Sequence, residues 1–483
     1  MFRRLLRDSV IYSASTALAR GVQIILIPVY TRLLGPAEFG VVDMVAVFGA
    51  LVNLTVALEI SQGVARYLAD ARDESVRRSY ASTAVIFSIG AYGTFALVSL
   101  TLATPLATLL FGSDQWASAL RIGIAALAIN GLFTLLQDLL RWRLAPGAYL
   151  LASLAYTLGN VGVGIYLVGF AGAGVAGVLW GQVTGAIAGA AVAWYCMAGF
   201  VVVSFDVGRL KEMLGYSGPL VLSGIAVFAN QFVDRIAVRE LLGIDSLGIY
   251  GVAARFASMV GLVTVALQAA LTPLVYQRYR DPGTPLELAR IFRFYCAVMA
   301  PALGALALFS PEIIAVFSGP SYRAAKDILP VLAVSSLLTT LYIFAPGLFL
   351  EKRTGVVAGI TMTAAGVNLV LNLILVPTLG MRGAALATCC AAAIAFSGFM
   401  MSSQRLYPVP HAWTRIGNAA ALALVLIVVG IWLSSDQLGM QPELLAVKLL
   451  LTGLAALVSG LCVLSSDDRE SAWRWFSTVR ANA

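Results

Sequence analysis

Apolar residues along this chain do not alternate with polar ones. They gather into runs of about 20, repeated from near the N-terminus to near the C-terminus and separated by short segments where Arg, Asp, Gly and Pro collect. A run of that length is what an α-helix needs to cross a hydrocarbon layer about 30 Å thick. The pattern predicts about fourteen helices, near 10–30, 40–61, 79–103, 118–140, 149–168, 175–198, 216–238, 247–272, 294–315, 328–350, 355–376, 383–402, 416–434 and 444–464. The expected fold class is an all-α polytopic membrane protein, with no segment left for a sizeable soluble domain. Composition agrees: 60% of the 483 residues are hydrophobic and 12% charged, with mean hydropathy +0.89, against about 25% charged residues in a soluble domain.

A net charge of +8 raises the question of a nucleic-acid partner, and its distribution answers it. Basic residues crowd into alternate loops, around Arg72, Arg77 and Arg78, around Arg209 and Lys211, and around Arg278 and Arg280. The intervening loops carry far fewer, such as Arg121, Arg323 and Lys326. This is the positive-inside asymmetry, and it places both termini in the cytoplasm without any nucleic acid. The opening MFRRLLRDS is basic, but the apolar run behind it holds Arg20 and Gln23 and continues into LLGPAEFG with no A-x-A-like site. It reads as a retained helix rather than a cleaved signal. All five cysteines, Cys196, Cys296, Cys389, Cys390 and Cys462, fall inside apolar runs, so neither a disulfide framework nor a metal site is expected, and no cofactor is implied.

The chain is written twice. RLLGPAEFGVVD (Arg32 to Asp43) and ELLGIDSLGIYG (Glu240 to Gly251) share Leu-Leu-Gly followed five residues later by Gly, at an offset of 208. The same offset pairs Gln23 with Gln231, Gly147 with Gly355, Asn160 with Asn368, and Gly172 with Gly380. It spans an even number of helices, so the copies share one orientation and an axis along the membrane normal relates them. The expected organisation is a six-helix lobe over 1–208, a second over 209–408, and two appended helices with a cytoplasmic tail over 409–483. Trp473 and Trp475 in that tail suit an anchor at the inner interface.

At 100° per residue, polar side chains fall into stripes. Tyr12, Thr16, Arg20, Gln23 and Tyr30 share one face of the first helix. Asn130, Thr134, Gln137 and Arg141 share one face of the fourth, with Asp138 at its edge, and Tyr149, Ser153, Tyr156 and Asn160 one face of the fifth. Ser223, Asn230 and Asp234 repeat the pattern on the seventh helix, and Thr361, Asn368 and Asn372 on the eleventh. Any one of these could be interhelical glue worth about 0.6 kcal/mol. As a set they cannot all face lipid, where a mid-bilayer charge is disfavoured by about 3 kcal/mol or more, so they are expected to meet in a shared interior. Arg20 lies too far from either helix end to snorkel easily, and Arg255 sits well inside the eighth helix. Asp43 and Glu59 lie near opposite ends of the second helix, where simple solvation is an equal reading. Pro28, Pro219, Pro273, Pro301, Pro346 and the run GNVGVGIYLVGFAGAGVAG are ordinary small-residue packing one by one, and as a group suit lobes that rock.

Ala19-Arg20-Gly21 before Pro28, Arg32-Leu33-Leu34-Gly35-Pro36 with Phe39-Gly40, Asp234-Arg235 ahead of Leu242-Gly243 and Leu247-Gly248-Ile249-Tyr250, and Leu375-Val376-Pro377 before Gly380 and Gly383-Ala384-Ala385 resemble the Wzx-type O-antigen and exopolysaccharide flippases. These belong to the multidrug/oligosaccharidyl-lipid/polysaccharide exporter superfamily. The resemblance covers essentially the whole chain and implies two lobes around a cation-lined cavity. It also implies translocation of a polyprenyl-diphosphate-linked oligosaccharide from the inner to the outer leaflet of the bacterial cytoplasmic membrane. It makes Arg20 and Arg255 candidate cavity cations and Asp234-Arg235 a family signature. The expected partners are that glycan, membrane lipids and glycan polymerase machinery.

The candidate substrate-binding set is therefore Tyr12, Arg20, Gln23, Asn130, Gln137, Tyr156, Asn160, Asn230, Asp234, Arg255, Asn368 and Asn372. Guanidinium suits phosphate, and the Tyr, Asn and Gln side chains suit sugar hydroxyls. Two alternatives stay open. A cation-coupled multidrug antiporter of the same superfamily would lean on intramembrane acids, for which Asp43, Glu59 and Asp138 are available for ion coupling. A polytopic glycan polymerase or glycosyltransferase would need an outer face with a base or metal site. Only short outer loops exist, and the single histidine, His411, lies in an inner loop, so an enzyme is not expected.

Overall fold

The computed structural model describes Gly21, residues 25–433 and residues 442–470, except the side chains at 266 and 269. Tyr12, Thr16, Arg20, Gln23, Trp473 and Trp475 lie outside the described residues. Among those described, 13 helices are long and apolar enough to cross a membrane. Each corresponds to one of the helices expected after the first, and of the first only its second half, α1 (25–33), is described.

The helices of the N-terminal part are α2 (Pro36–Thr55), α3 (Ile60–Asp70), α4 (Glu74–Thr101), α5 (Ala103–Phe111), α6 (Ala117–Trp142), α7 (Pro146–Gly169), α8 (Gly174–Cys196) and α9 (Val207–Leu242). There follow α10 (Ile244–Arg278), α11 (Thr284–Leu308), α12 (Ser310–Phe317), α13 (Ala325–Thr340), α14 (Gly347–Leu350), α15 (Thr354–Leu379), α16 (Met381–Leu406), α17 (Trp413–Leu433) and α18 (Pro442–Cys462). Two departures from the expected pattern matter. The second predicted span stops at Thr55 and resumes at Ile60. The tenth stops at Thr340, turns through a short 3₁₀ segment, Leu341–Phe344, and resumes at Gly347. Pro346 explains the second interruption, since it disfavours helical geometry at Ala345, which sits at φ −123° and ψ 60°. The first has no Pro or Gly behind it: Leu58 and Glu59 adopt left-handed φ values of 52° and 53°.

Carboxylates close the starts of α2, α8 and α9. Pro36 opens α2 at a position where its missing N–H is not needed, and Glu38 accepts a bond from Gly35 N at 3.1 Å and another from Val175 N at 3.3 Å. One carboxylate thus serves the N-termini of α2 and α8, where negative charge is favoured. Asp206 caps α9 by accepting from Arg209 N at 3.1 Å, and its own N–H donates to the buried Thr83 hydroxyl at 3.1 Å.

The chain divides into two compact units, Met1–Gly251 and Val252–Ala483. Residues 209–251, the opening of the second sequence repeat, lie in the first unit because α9 packs on α2, α3 and α4. Within that unit α7 and α8 approach through small residues: Gly181 and Gly185 face the backbone of Asn160 so closely that an added Cβ would stand 2.6 Å from Asn160 O and 2.7 Å from Asn160 Cβ. Such close backbone approach is how helices associate where lipid offers no hydrophobic drive. In the second unit α17 and α18 pack on α11. The two appended helices are held at both ends, by Lys448 Nζ to Glu312 at 2.5 Å and by Asp468 to Arg293 at 2.9 Å and Arg290 at 3.2 Å. Large apolar side chains such as Leu158, Phe170, Leu222, Trp432 and Leu450 remain exposed, the outward face a bilayer would cover.

Candidate functional site

The repeat motif makes a contact with itself. A Cβ on Gly40 would fall 2.1 Å from Ile244 O, and a Cβ on Gly248 would fall 1.9 Å from Pro36 O. Pro36 and Ile244 are related by the 208-residue offset, as are Gly40 and Gly248. The start of α2 and the start of α10 therefore cross in a nearly symmetric glycine-to-glycine approach. One turn further, Asp43 fills the space left by its counterpart Gly251, whose Cβ would stand 3.0 Å from the Asp43 carboxyl carbon.

Asp43 is buried there and pairs with Arg235 Nε at 3.5 Å, while Asp234 accepts from the buried Tyr250 hydroxyl at 2.6 Å and from Arg235 N at 2.8 Å. The Asp234-Arg235 motif and Asp43 thus form one knot beside the glycine crossing. A buried pair of this kind fixes register between helices and is strongly disfavoured when one member is removed.

The other predicted residues fall in three places. On α6 and α7, Gln137 Nε2 donates to Ser153 Oγ at 2.7 Å, Tyr156 stacks on Phe133 with centroids 5.0 Å apart, and Asn160 meets the α8 glycines. Tyr30, the last of the first-helix stripe, packs its hydroxyl against Gly164, and Asn130 O accepts from Thr134 at 2.8 Å. On α15, Asn372 Nδ2 donates to Asn368 Oδ1 at 2.7 Å, both side chains fully buried. Asn230 on α9 and Arg255 on α10 are half-buried.

Glu59 lines a cavity close to Asp138. Where α2 breaks, a space of about 220 Å³ opens toward α4 and α6, lined by Asn53, Glu59, Ser61, Ser88, Tyr92 and Thr134 among others. Tyr92 donates to Asn53 Oδ1 at 3.2 Å and is held in place by Gly131, whose Cβ would collide with its ring at 2.1 Å. Ser88 Oγ is fully buried and meets no donor or acceptor among the described residues. Asp138, close enough to influence Glu59, is itself paired with Arg141 at 2.9 Å. The two left-handed residues at the break are disfavoured by about 1–2 kcal/mol each, strain of a kind that collects at functional sites.

The second unit carries the counterpart. A cavity of about 180 Å³ lies between α10 and the interrupted tenth span, lined by Gln268, Thr272, Tyr276, Tyr342, Pro346 and Phe349 among others. At the 208-residue offset Gln268, Tyr342, Ile343 and Pro346 correspond to Ile60, Thr134, Leu135 and Asp138. Gln268 Nε2 donates to Tyr342 Oη at 2.8 Å. No carboxylate lines this cavity.

Sequence reasoning missed Asn53, Ser61, Ser88 and Tyr92. Ser88 and Tyr92 do stand four apart on α4, the spacing of one helix face, but the many Ser, Thr and Gly residues around them hide that signal.

Comparisons with known proteins follow this geometry. The family described as "Polysaccharide biosynthesis protein" matches residues 29–327. The chain is 25% identical over 182 residues to the probable low-salt glycan biosynthesis flippase Agl15 of Haloferax volcanii, covering 37% of this chain and 39% of that protein. It is 27% identical over 349 residues to the succinoglycan biosynthesis transport protein ExoT of Rhizobium meliloti, covering 68% of this chain and 65% of that one. The matches thus span less than two thirds of either relative's length. Among solved structures, the lipid II flippase MurJ in an inward closed conformation superposes with a TM-score of 0.71 at 15% identity, over 93% of this chain and 98% of MurJ. That likeness establishes the shared fold.

Proposed function

The chain belongs to the polysaccharide biosynthesis protein family, and from that premise we propose that it flips a polyprenyl-diphosphate-linked oligosaccharide from the inner to the outer leaflet of a bacterial cytoplasmic membrane. In this reading the repeats 1–208 and 209–408 are two lobes, 409–483 is appended, and both termini are cytoplasmic. The family match carries the reading, and the names of Agl15 and ExoT support a glycan cargo. Alternating access is supported by the glycine crossing of α2 and α10, which joins equivalent points of the two repeats. A seam of backbone contacts fixed by one buried ion pair closes well and parts along one line. The diphosphate needs a positioned guanidinium in a poorly solvated interior, for which Arg255 and Arg20 are the candidates. The amide and hydroxyl groups of Gln137, Asn130 and Tyr156 are available for sugar hydroxyls. Glycan polymerase machinery would receive the product.

Arg20→Ala and Arg255→Ala should insert and accumulate normally, abolish surface polysaccharide, and leave lipid-linked precursor in the inner leaflet. Wild-type surface glycan in both variants would remove the proposal. The acidic cavity at Glu59 favours a second reading, a cation-coupled multidrug antiporter. Deletion of the protein should then change drug susceptibility and leave glycan untouched.

A further inference from the structure

We propose that the cavity at the break between α2 and α3 is a binding site for a monovalent alkali cation, with the Glu59 carboxylate, Asn53 Oδ1 and Ser88 Oγ among its ligands. Four observations converge on it. The lining is oxygen-rich, with Ser61, Thr134 and the Tyr92 hydroxyl beside the three ligands named, and oxygen donors suit hard cations. The break leaves the last carbonyls of α2 without intrahelical donors, so they can turn toward an ion. Ser88 Oγ is fully buried with no partner among the described residues, although buried hydroxyls are almost always satisfied. Finally, Leu58 and Glu59 are held in left-handed conformations that no glycine relieves, which turns the Glu59 backbone at the cavity.

Charge sets the valence. Glu59 is the one carboxylate on the lining among the described residues, and the nearby Asp138, off the lining, is compensated by Arg141 at 2.9 Å. Among the described residues no three His, Cys, Asp or Glu side chains come together as a cage, so the donor set matches one positive charge rather than two. The volume of about 220 Å³ exceeds a lone ion and holds it with part of its water, each water occupying about 30 Å³. The second unit's cavity has Gln268 and Pro346 at the positions of Ile60 and Asp138 and lacks a carboxylate, so the site belongs to the first unit alone.

The assignment rests on the transport reading only for its purpose, coupling ion movement to flipping; the site itself is testable without any glycan. Purified full-length protein in detergent is unfolded thermally in sodium chloride, potassium chloride and choline chloride at equal ionic strength. A ligand that binds only the folded state raises the melting temperature with its concentration. Wild type should show this increment with sodium or potassium over choline. Glu59→Gln should abolish it while keeping or raising the melting temperature in choline, because it removes a half-buried charge that only the cation compensates. A purely structural role would instead lower that temperature. Ser88→Ala should shift the midpoint concentration about tenfold upward, the loss expected for one bond to a charged group. Asp327→Asn, an ion-pair partner of Arg382 at 2.8 Å in the second unit, should leave the increment unchanged. An increment retained in Glu59→Gln, one absent from wild type with both alkali cations, or a response to pH alone, meaning a proton site, would overturn the assignment. None of these results bears on precursor accumulation, which tests the flippase reading separately.

Discussion

The two cavities occupy equivalent places in the sequence repeat and have diverged in chemistry. In the first unit the second span breaks, and the opening is floored by Glu59, Asn53 and a lone hydroxyl at Ser88. In the second unit the fourth span of the repeat breaks instead, at Pro346, and the opening is walled by Tyr342, Tyr276 and Phe349 with Gln268 tied to Tyr342. Duplication supplied the same helical frame twice, and substitution at a few equivalent positions, Ile60 against Gln268, Thr134 against Tyr342, Asp138 against Pro346, gave one acidic and one neutral aromatic interior. A charged ligand suits the first. Rings and an amide, which pack against C–H faces and bond hydroxyls, suit the second.

The part that has not diverged is the glycine crossing, and the largest effect is expected there. Gly248→Ala would place a methyl 1.9 Å from Pro36 O, with backbone on both sides and no flexible side chain to yield. Overpacking of this kind typically destabilises by about 1–3 kcal/mol, occasionally more. Gly248→Ala and Gly40→Ala should each lower the melting temperature and abolish surface glycan, whereas Gly359→Ala on α15, which has open space around it, should do neither. Equal tolerance at all three positions would mean that the symmetric crossing is not structural, and the comparison of diverged cavities on a conserved frame would fail with it.

Much of that frame was legible in the sequence. The apolar runs locate the spans, because a bilayer demands length and apolarity of every crossing, and the LLG motif locates the crossing because only glycine permits that approach. The stripe on the fourth helix points at the fifth, where Gln137 meets Ser153 at 2.7 Å. The break at 56–59 was not legible. Its residues, Val56, Ala57, Leu58 and Glu59, carry no helix breaker, so the left-handed turn comes from tertiary packing that local propensity does not report. The partner of Asp43 was hidden for a similar reason: Arg235 lies far along the chain, and a buried pair leaves no local periodicity.

A smaller effect should separate the cavities from each other. Tyr342→Phe deletes the 2.8 Å bond from Gln268 and leaves the tilted ring contact with Phe349, centroids 5.7 Å apart, in place. Loss of one such neutral bond is worth about 1 kcal/mol, so flipping measured by surface glycan should fall severalfold while the alkali-cation increment stays at its wild-type size. Glu59→Gln should give the reverse order of effects on the increment. If Tyr342→Phe altered the cation response, the cavities would share a ligand rather than divide the chemistry.

The smallest expected effect is a pH dependence carried by the second unit. His411, between α16 and α17, is packed against Phe292 and Trp413, with centroids at 5.1 and 5.3 Å, and burial pushes its pKa from 6.5 down to about 4. The unfolded chain therefore binds this proton before the folded one does. Stability contributed by the neutral imidazole is fully present above about pH 6.5 and is lost as pH falls toward 4. His411→Phe should flatten the loss of stability between about pH 6.5 and 4, read as melting temperature, and leave the sodium increment over choline at pH 8 as it was, because the imidazole lies in the second unit and the Glu59 carboxylate in the first. An increment that changed with His411 would tie the imidazole to the cation site and end the distinction between an ion-sensing first unit and a neutral second one.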